Sequence, residues 1–212
     1  TNCEYCTPKL DVCGEDITIE KGSFRYENTL FHAPIASLYT IYNCIAVIAV
    51  AKLCQLPYDL CERVFRHTKQ PAGRNETFAW QGNDYTLNLV KNPTGANEVL
   101  KTIESDKDEK ALMIVLNDNA QDGTDVSWIY DAQFERVLQL STQRIICSGT
   151  RAYDMALRIK YADYPGEIIV IEDPKKALDT LYDYHIRSYI IATYTALAPV
   201  RALMRKDEAH AA

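Results

Sequence analysis

Ala111-Leu-Met-Ile-Val-Leu116, followed directly by Asn117-Asp-Asn-Ala-Gln-Asp-Gly-Thr-Asp-Val-Ser-Trp-Ile-Tyr-Asp131, decides how this chain folds. Six consecutive apolar residues, bounded by charge before and turn-formers after, read as a short strand buried on both faces. The loop after it carries Asp118, Asp122, Asp125 and Asp131 together with Trp128. Several acids in one loop repel one another unless a cation or hydrogen-bond donors face them. A Ca²⁺ loop is one reading, although the spacing lacks the bidentate Glu of an EF-hand. A solvated acidic loop is another. A third is a functional edge, because open parallel sheets bind ligands beyond the carboxyl ends of their strands.

The flanking sequence points to such a sheet. Downstream, Gln143–Cys147, Glu167–Ile171 and Ser188–Thr193 read as strands. Helical patterns cover Ala132–Leu140, Ala152–Tyr161, Pro174–Tyr184 and Thr195–Met204, and the tail from Arg205 is expected to fray. Upstream, Thr77–Trp80 and Asp84–Val90 flank Gln-Gly-Asn, a hairpin signal, and Ala96–Ile103 is helical. Strands alternating with single helices predict an α/β fold, a parallel Rossmann-like sheet flanked by helices. Residues 1–34 read differently, as turn-rich sequence with strand-like pieces at Ile17–Glu20 and Ser23–Tyr26. A helix over 37–56, stopped by Pro57, and a second over Tyr58–Arg66 follow. The polar joint from His67 to Gly73 predicts a boundary, with domains at 1–70 and 71–212.

Composition narrows the function. The 212 residues are 47% apolar and 25% charged, ordinary for a globular protein. A net charge of −6 argues against a general nucleic-acid binder, which needs clustered Lys and Arg. No apolar run reaches the ~18 residues of a membrane span; Leu38 to Leu56 is interrupted by Tyr39, Tyr42, Asn43 and Lys52. The chain starts Thr-Asn-Cys, without Met or a signal-peptide pattern, which suggests a piece of something longer. Cys44, Cys54, Cys61 and Cys147 lie in apolar contexts and point to a reducing, cytoplasmic setting. Cys3 and Cys6 have the Cys-x-x-Cys spacing of half a zinc site. Cys13 and His32 are possible further ligands, Cys13 at poor spacing, and an inert tail is the alternative.

Three further places combine polar chemistry with structural punctuation. Lys91 and Asn92 follow a strand and precede Pro93, either at a functional edge or in a simple turn before a helix. Arg74 follows Gly73 at the domain joint, where it suits a phosphate or carboxylate clamp or an ordinary salt bridge. Tyr39, Tyr42 and Asn43 stand at the polar start of a helix, as nucleotide contacts or as a cap. The chain has no Gly-x-x-x-x-Gly-Lys-Ser/Thr phosphate loop and no Gly-x-Ser-x-Gly elbow.

Taken together, these segments resemble the Mur ligases and, among them, the MurT-type subunits of lipid II isoglutaminyl synthases. Gly73-Arg-Asn-Glu76 is similar to the Gly-Arg-x-Glu segment where the Mur ATPase domain meets the C-terminal domain. Lys91-Asn-Pro-Thr-Gly-Ala-Asn97, Asp122-Gly-Thr-Asp-Val-Ser-Trp-Ile-Tyr-Asp131 and Leu38-Tyr-Thr-Ile-Tyr-Asn43 resemble MurT-type segments. Cys3-Glu-Tyr-Cys6 looks like the second half of the zinc ribbon in such chains. Ser37 and Thr40 depart from the Gly and Asn usual there.

The resemblance implies a Mur ligase C-terminal domain preceded by the helical end of a central ATPase domain. It implies ATP-dependent amidation of the D-Glu α-carboxylate of lipid II to D-isoglutamine, at the inner face of the membrane. ATP with Mg²⁺, and a structural Zn²⁺ on Cys3 and Cys6, would serve the full enzyme, with Tyr39, Asn43, Arg74, Lys91 and Asn92 as ATP or substrate contacts. Ammonia would come from a GatD-type glutamine amidotransferase, whose Cys and His take a triad carboxylate from this chain. Asp125 is the first candidate for that carboxylate and Asp122 the second, with Trp128 packing near the interface. The chain alone is then expected to be inactive. The competing reading is a docking module for an amidotransferase without ATP chemistry.

Overall fold

The computed structural model describes residues 9–68 and 72–211, residues 207–211 as backbone alone. The chain divides between Pro71 and Ala72 into two compact units.

In the first unit β1 (Glu15–Thr18), β2 (Ser23–Tyr26) and β3 (Thr29–His32) form an antiparallel meander. Glu27 and Asn28 both take left-handed angles (φ 44 and 65), as a two-residue hairpin between twisted strands requires. The strand expected over Ile17–Glu20 is displaced toward the N-terminus. Residues Ile19–Lys21 instead tighten into a 3₁₀ turn that closes on Gly22, which has φ 60.

Helices α1 (Leu38–Leu53) and α2 (Tyr58–His67) complete this unit. Ile41, Cys44, Ile48 and Ala51 recur at helical spacing on α1 and bury against Phe24, Phe31 and Phe65. Val47 and Val50 stay exposed on the other side. With Leu56, Leu60 and Val64 they line an apolar groove of about 410 Å³. His32 ties β3 to α2, because its backbone N and ring Nδ1 each lie 3.0 Å from the Glu62 carboxylate. Arg66 donates to the same carboxylate at 2.5 Å.

The second unit is a six-stranded sheet. Its strands are β4 (Glu76–Trp80), β5 (Asn83–Leu89), β6 (Ala111–Val115), β7 (Arg144–Ser148), β8 (Glu167–Val170) and β9 (Ser188–Ala192). The order is β4-β5-β9-β6-β7-β8, with β4 antiparallel at one edge and the other five parallel. Gln81 and Gly82, both at positive φ, close the β4–β5 hairpin.

Side chains alternate along β6. Leu112 and Ile114 join a core with α3 (Pro93–Ser105), α4 (Trp128–Asp131) and α5 (Ala152–Tyr161). Ala111, Met113 and Val115 join a second core with α6 (Pro174–Tyr182) and α7 (Tyr194–Ala211). The sheet is therefore covered on both faces.

Two expectations need correction. The helix expected over Ala132–Leu140 is a 3₁₀ helix over Phe134–Gln139, entered from an extended Ala132. Buried Arg158 explains the break. Its Nε donates to the Ile129 carbonyl and its Nη2 to the Ala132 carbonyl, both at 2.9 Å, so these acceptors are served by a side chain rather than a helical turn. The tail from Arg205, expected to fray, continues α7 through Ala211.

Gly149 and Gly123 both have φ +90, but their surroundings differ. A Cβ on Gly149 would lie 2.5 Å from the Leu116 carbonyl oxygen and 2.6 Å from Asn117 Oδ1, whereas a Cβ on Gly123 would meet nothing within 4 Å. Gly149→Ala is expected to cost about 3 kcal/mol or more and Gly123→Ala about 1 kcal/mol, measured by urea unfolding.

Candidate functional site

The carboxyl ends of β5, β9, β6 and β7 share one edge of the sheet because these strands are parallel. Neighbouring strands then send the chain to opposite faces. After β6 it leads to Val126 and Ile129 in one core; after β9 it leads to Ala196 and Val200 in the other. Such a divergence opens a crevice, the usual ligand position in doubly wound sheets. Here the loop after β6 closes it.

Asn117 begins the closure. Its backbone N–H donates to Thr193 Oγ1 at 3.0 Å and its Nδ2 to Thr195 Oγ1 at 3.1 Å. Its Oδ1 accepts from the Thr150 backbone N–H at 3.0 Å, so one side chain bridges the ends of three strands. Asn119 Nδ2 also donates to Thr195 Oγ1, at 2.8 Å. Asp122 then accepts from the Thr195 backbone N–H at 2.8 Å and from the Thr195 hydroxyl. That N–H belongs to the first turn of α7, where amides lack intrahelical acceptors and the helix dipole favours an anion. Asp122 thus acts as a cap supplied by a distant loop.

Asp125 is placed differently. It is exposed, and its Oδ1 accepts from the Ser127 backbone N–H at 2.8 Å. Hydrogen bonds from the Ser127 backbone and then its side chain hold the Asp125 carboxyl below the usual range. Trp128, the first residue of α4, is half-buried and packs against the α3–α5 core.

Asp118 pairs across the edge with the turn after β7. Thr150 Oγ1 donates to its Oδ1 at 2.8 Å and Arg151 Nη1 to its Oδ2 at 3.1 Å. Arg151 also grips Asp154 through Nε at 2.7 Å and Nη2 at 2.9 Å. Asp118, Asp122 and Asp125 are therefore answered by hydroxyls, amides and one guanidinium. Among the described residues, no group of three or more His, Cys, Asp or Glu side chains is placed to hold a metal ion.

The other sequence candidates disperse. Asn92 caps α3, its Oδ1 accepting from the Gly95 N–H at 2.8 Å, with Pro93 in the first turn. Lys91 is exposed beside it. Arg74 is exposed in the turn before β4, where Glu76 accepts from the Gly73 N–H at 2.8 Å and from Arg201 Nε at 2.7 Å. Tyr39, half-buried, and Asn43, exposed, lie in the first turns of α1 in the first unit. Ser37 and Thr40 hydroxyls meet there at 2.8 Å. Cys3 and Cys6, read as zinc ligands, lie outside the described residues. Thr193, Thr195, Thr150 and Arg151 were not singled out by the sequence. Threonines at a strand-to-helix junction were the available signal.

The architecture is that of the Mur ligases. A D-alanyl-D-alanyl-adding ligase of muramoyl peptides from Acinetobacter baumannii superposes with a TM-score of 0.69 over 92% of this chain and 44% of its own, at 14% identity. A pseudomurein peptide ligase type C from Methanothermus fervidus gives 0.69 over 97% and 44%, at 16% identity. Residues 89–197 match the family model described as MurT ligase C-terminal, so the chain belongs to the MurT family.

Relatives bear this out. The lipid II isoglutaminyl synthase (glutamine-hydrolyzing) subunit MurT of Streptococcus pneumoniae is 32% identical over 89% of this chain. That of Staphylococcus aureus is 38% identical over 78%. The chain spans 43% and 38% of the length of these two relatives. No described helix is long and apolar enough to cross a membrane.

Thr150 and then Arg151 hold the Asp118 carboxyl below its usual range, and Arg151 does the same for Asp154. A depressed carboxyl stabilises the fold above its unfolded pKa of about 4 and loses that contribution as pH falls through the folded value. Stability of the second unit is expected to fall below about pH 4. Arg151→Gln should make that slope shallower when urea midpoints are compared across pH.

Proposed function

We propose that this chain acts within a MurT-type subunit of a lipid II isoglutaminyl synthase. In that reading the α-carboxylate of D-Glu in the lipid II stem peptide takes a phosphoryl group from ATP. Ammonia attacks the resulting acyl phosphate carbon, the C–O bond to phosphate breaks, and loss of a proton leaves the D-isoglutamine amide. Family membership and the names of the two relatives support it.

The 212 residues do not themselves fit a nucleotide triphosphate, because they hold no Gly-x-x-x-x-Gly-Lys-Ser/Thr loop to cradle its phosphates. Phosphoryl transfer with ATP and Mg²⁺ is therefore placed outside this stretch. Tyr39 and Asn43 are left as contacts to the nucleoside, and Arg74, Lys91 and Asn92 as contacts to substrate. The subunit would work at the cytoplasmic face of the membrane, where lipid II is made accessible to it.

The second unit is proposed as the platform for a GatD-type glutamine amidotransferase, and Asp125 carries that assignment. Of Asp118, Asp122 and Asp125 it is the exposed one, with one oxygen fixed by Ser127. An exposed, oriented carboxylate suits a donor from the Nδ1–H of the partner's His, which would hold that imidazole in the tautomer that activates the partner's Cys. Asp122 is a poorer choice, since both its oxygens serve Thr195.

Co-purification of this chain with a GatD-type amidotransferase, followed by a glutaminase assay with and without the chain, tests the reading. Binding with stimulated glutamine hydrolysis is the expected result. Asp125→Asn should then lower glutaminase kcat about 10²-fold or more with the complex intact. No binding between two folded chains, or unchanged hydrolysis with Asp125→Asn, would refute the platform or the assignment respectively.

A further inference from the structure

Asp125 is useful to a partner only if the loop that carries it holds one position. The loop runs from Asn117 to Ser127 with Gly123 at φ +90, and side chains rather than a backbone ladder fix its first half. Three of those side chains converge on one atom. Thr195 Oγ1 accepts from Asn117 Nδ2 at 3.1 Å and from Asn119 Nδ2 at 2.8 Å, and donates to Asp122 Oδ2. A hydroxyl offers one donor and two acceptor sites, so Thr195 is saturated by three residues of the same loop. Its own backbone N–H holds the other Asp122 oxygen at 2.8 Å. The hydroxyl is thus the hub through which the start of α7, a rigid element packed on the sheet, sets the path of the chain three residues before Asp125.

We propose that Thr195 is a positioning residue of the glutaminase centre, acting through Asp122 and the loop to set the carboxylate of Asp125 against the partner's His. The inference rests on the platform reading above. It assigns Asp122 to the same latch and removes it as a rival for the triad position. Valine at 195 keeps the shape and the backbone N–H but removes the hub, leaving two amides and one carboxylate oxygen without their shared partner. Serine keeps the hub.

The test uses the full subunit in complex with its amidotransferase, with glutamine as substrate. Thr195→Val is expected to lower kcat for glutamine hydrolysis about tenfold or more while KM changes less than about twofold, since glutamine binds on the partner. Thr195→Ser should restore kcat. Asn119→Ala, at an exposed position that removes one spoke of the hub, should give a smaller loss in the same direction.

The deciding measurement is a double-mutant cycle. In an Asp125→Asn background, Thr195→Val should have no further effect, because the residue it positions is gone. Losses that multiply, or full activity in Thr195→Val alongside an inactive Asp125→Asn complex, would overturn the role of Thr195 and leave that of Asp125 standing. An Asp125→Asn complex with unchanged activity would overturn both.

Discussion

β6 is the constraint on which the second unit depends. All five of its residues are buried, with no polar side chain to mark an outer face. Leu112 and Ile114 belong to one core and Ala111, Met113 and Val115 to the other, so neither layer of helices is complete without it. A strand buried on both faces must sit inside a sheet with helices above and below. β6 accordingly lies between β9 and β7, and its carboxyl end falls where the chain diverges to both faces. The position of the loop that follows is then not free. Asp118 and Asp122 stand over the carboxyl ends of β7 and β9 because the apolar run before them can stand nowhere else.

That much was legible from the residues. Apolar runs of strand length, each followed by a helical pattern, specified the parallel sheet, and Gln81-Gly82 specified the hairpin at its edge. Local signals failed where a distant group changed the balance. Nothing near Ala132 announces that Arg158, 26 residues later, takes its carbonyl. Tertiary hydrogen bonds of that kind override propensity. The edge of the sheet was readable as a place and not as a geometry. The sequence shows four aspartates in one loop, but whether an acid is a cap, half of an ion pair or an exposed carboxylate depends on partners 32 to 73 residues away, such as Thr150, Arg151 and Thr195. The Asn92-Pro93 segment, open to two readings, serves at least as a helix cap.

The aspartates also show how one loop gives the same side chain unlike tasks. Asp118 is gripped by a guanidinium and a hydroxyl, Asp122 by a helix start, and Asp125 by one neighbouring amide. Each added donor fixes the carboxylate more firmly and uses up an oxygen that another molecule would need. Of these three, Asp125 has the fewest internal partners and so the most to offer outside. A rigid frame and an available group are opposed demands, and of these three aspartates the loop spends two on the first and one on the second.

The apolar groove between α1 and α2 carries a practical consequence. Val50 is 58% exposed and Leu53 84%, on a helix whose opposite side is fully packed. Contiguous exposed aliphatic surface attracts other apolar surface in water. For these 212 residues by themselves that helix pair is the part of the smaller unit most open to non-specific apolar adsorption. Their colloidal behaviour would therefore be governed by the smaller unit.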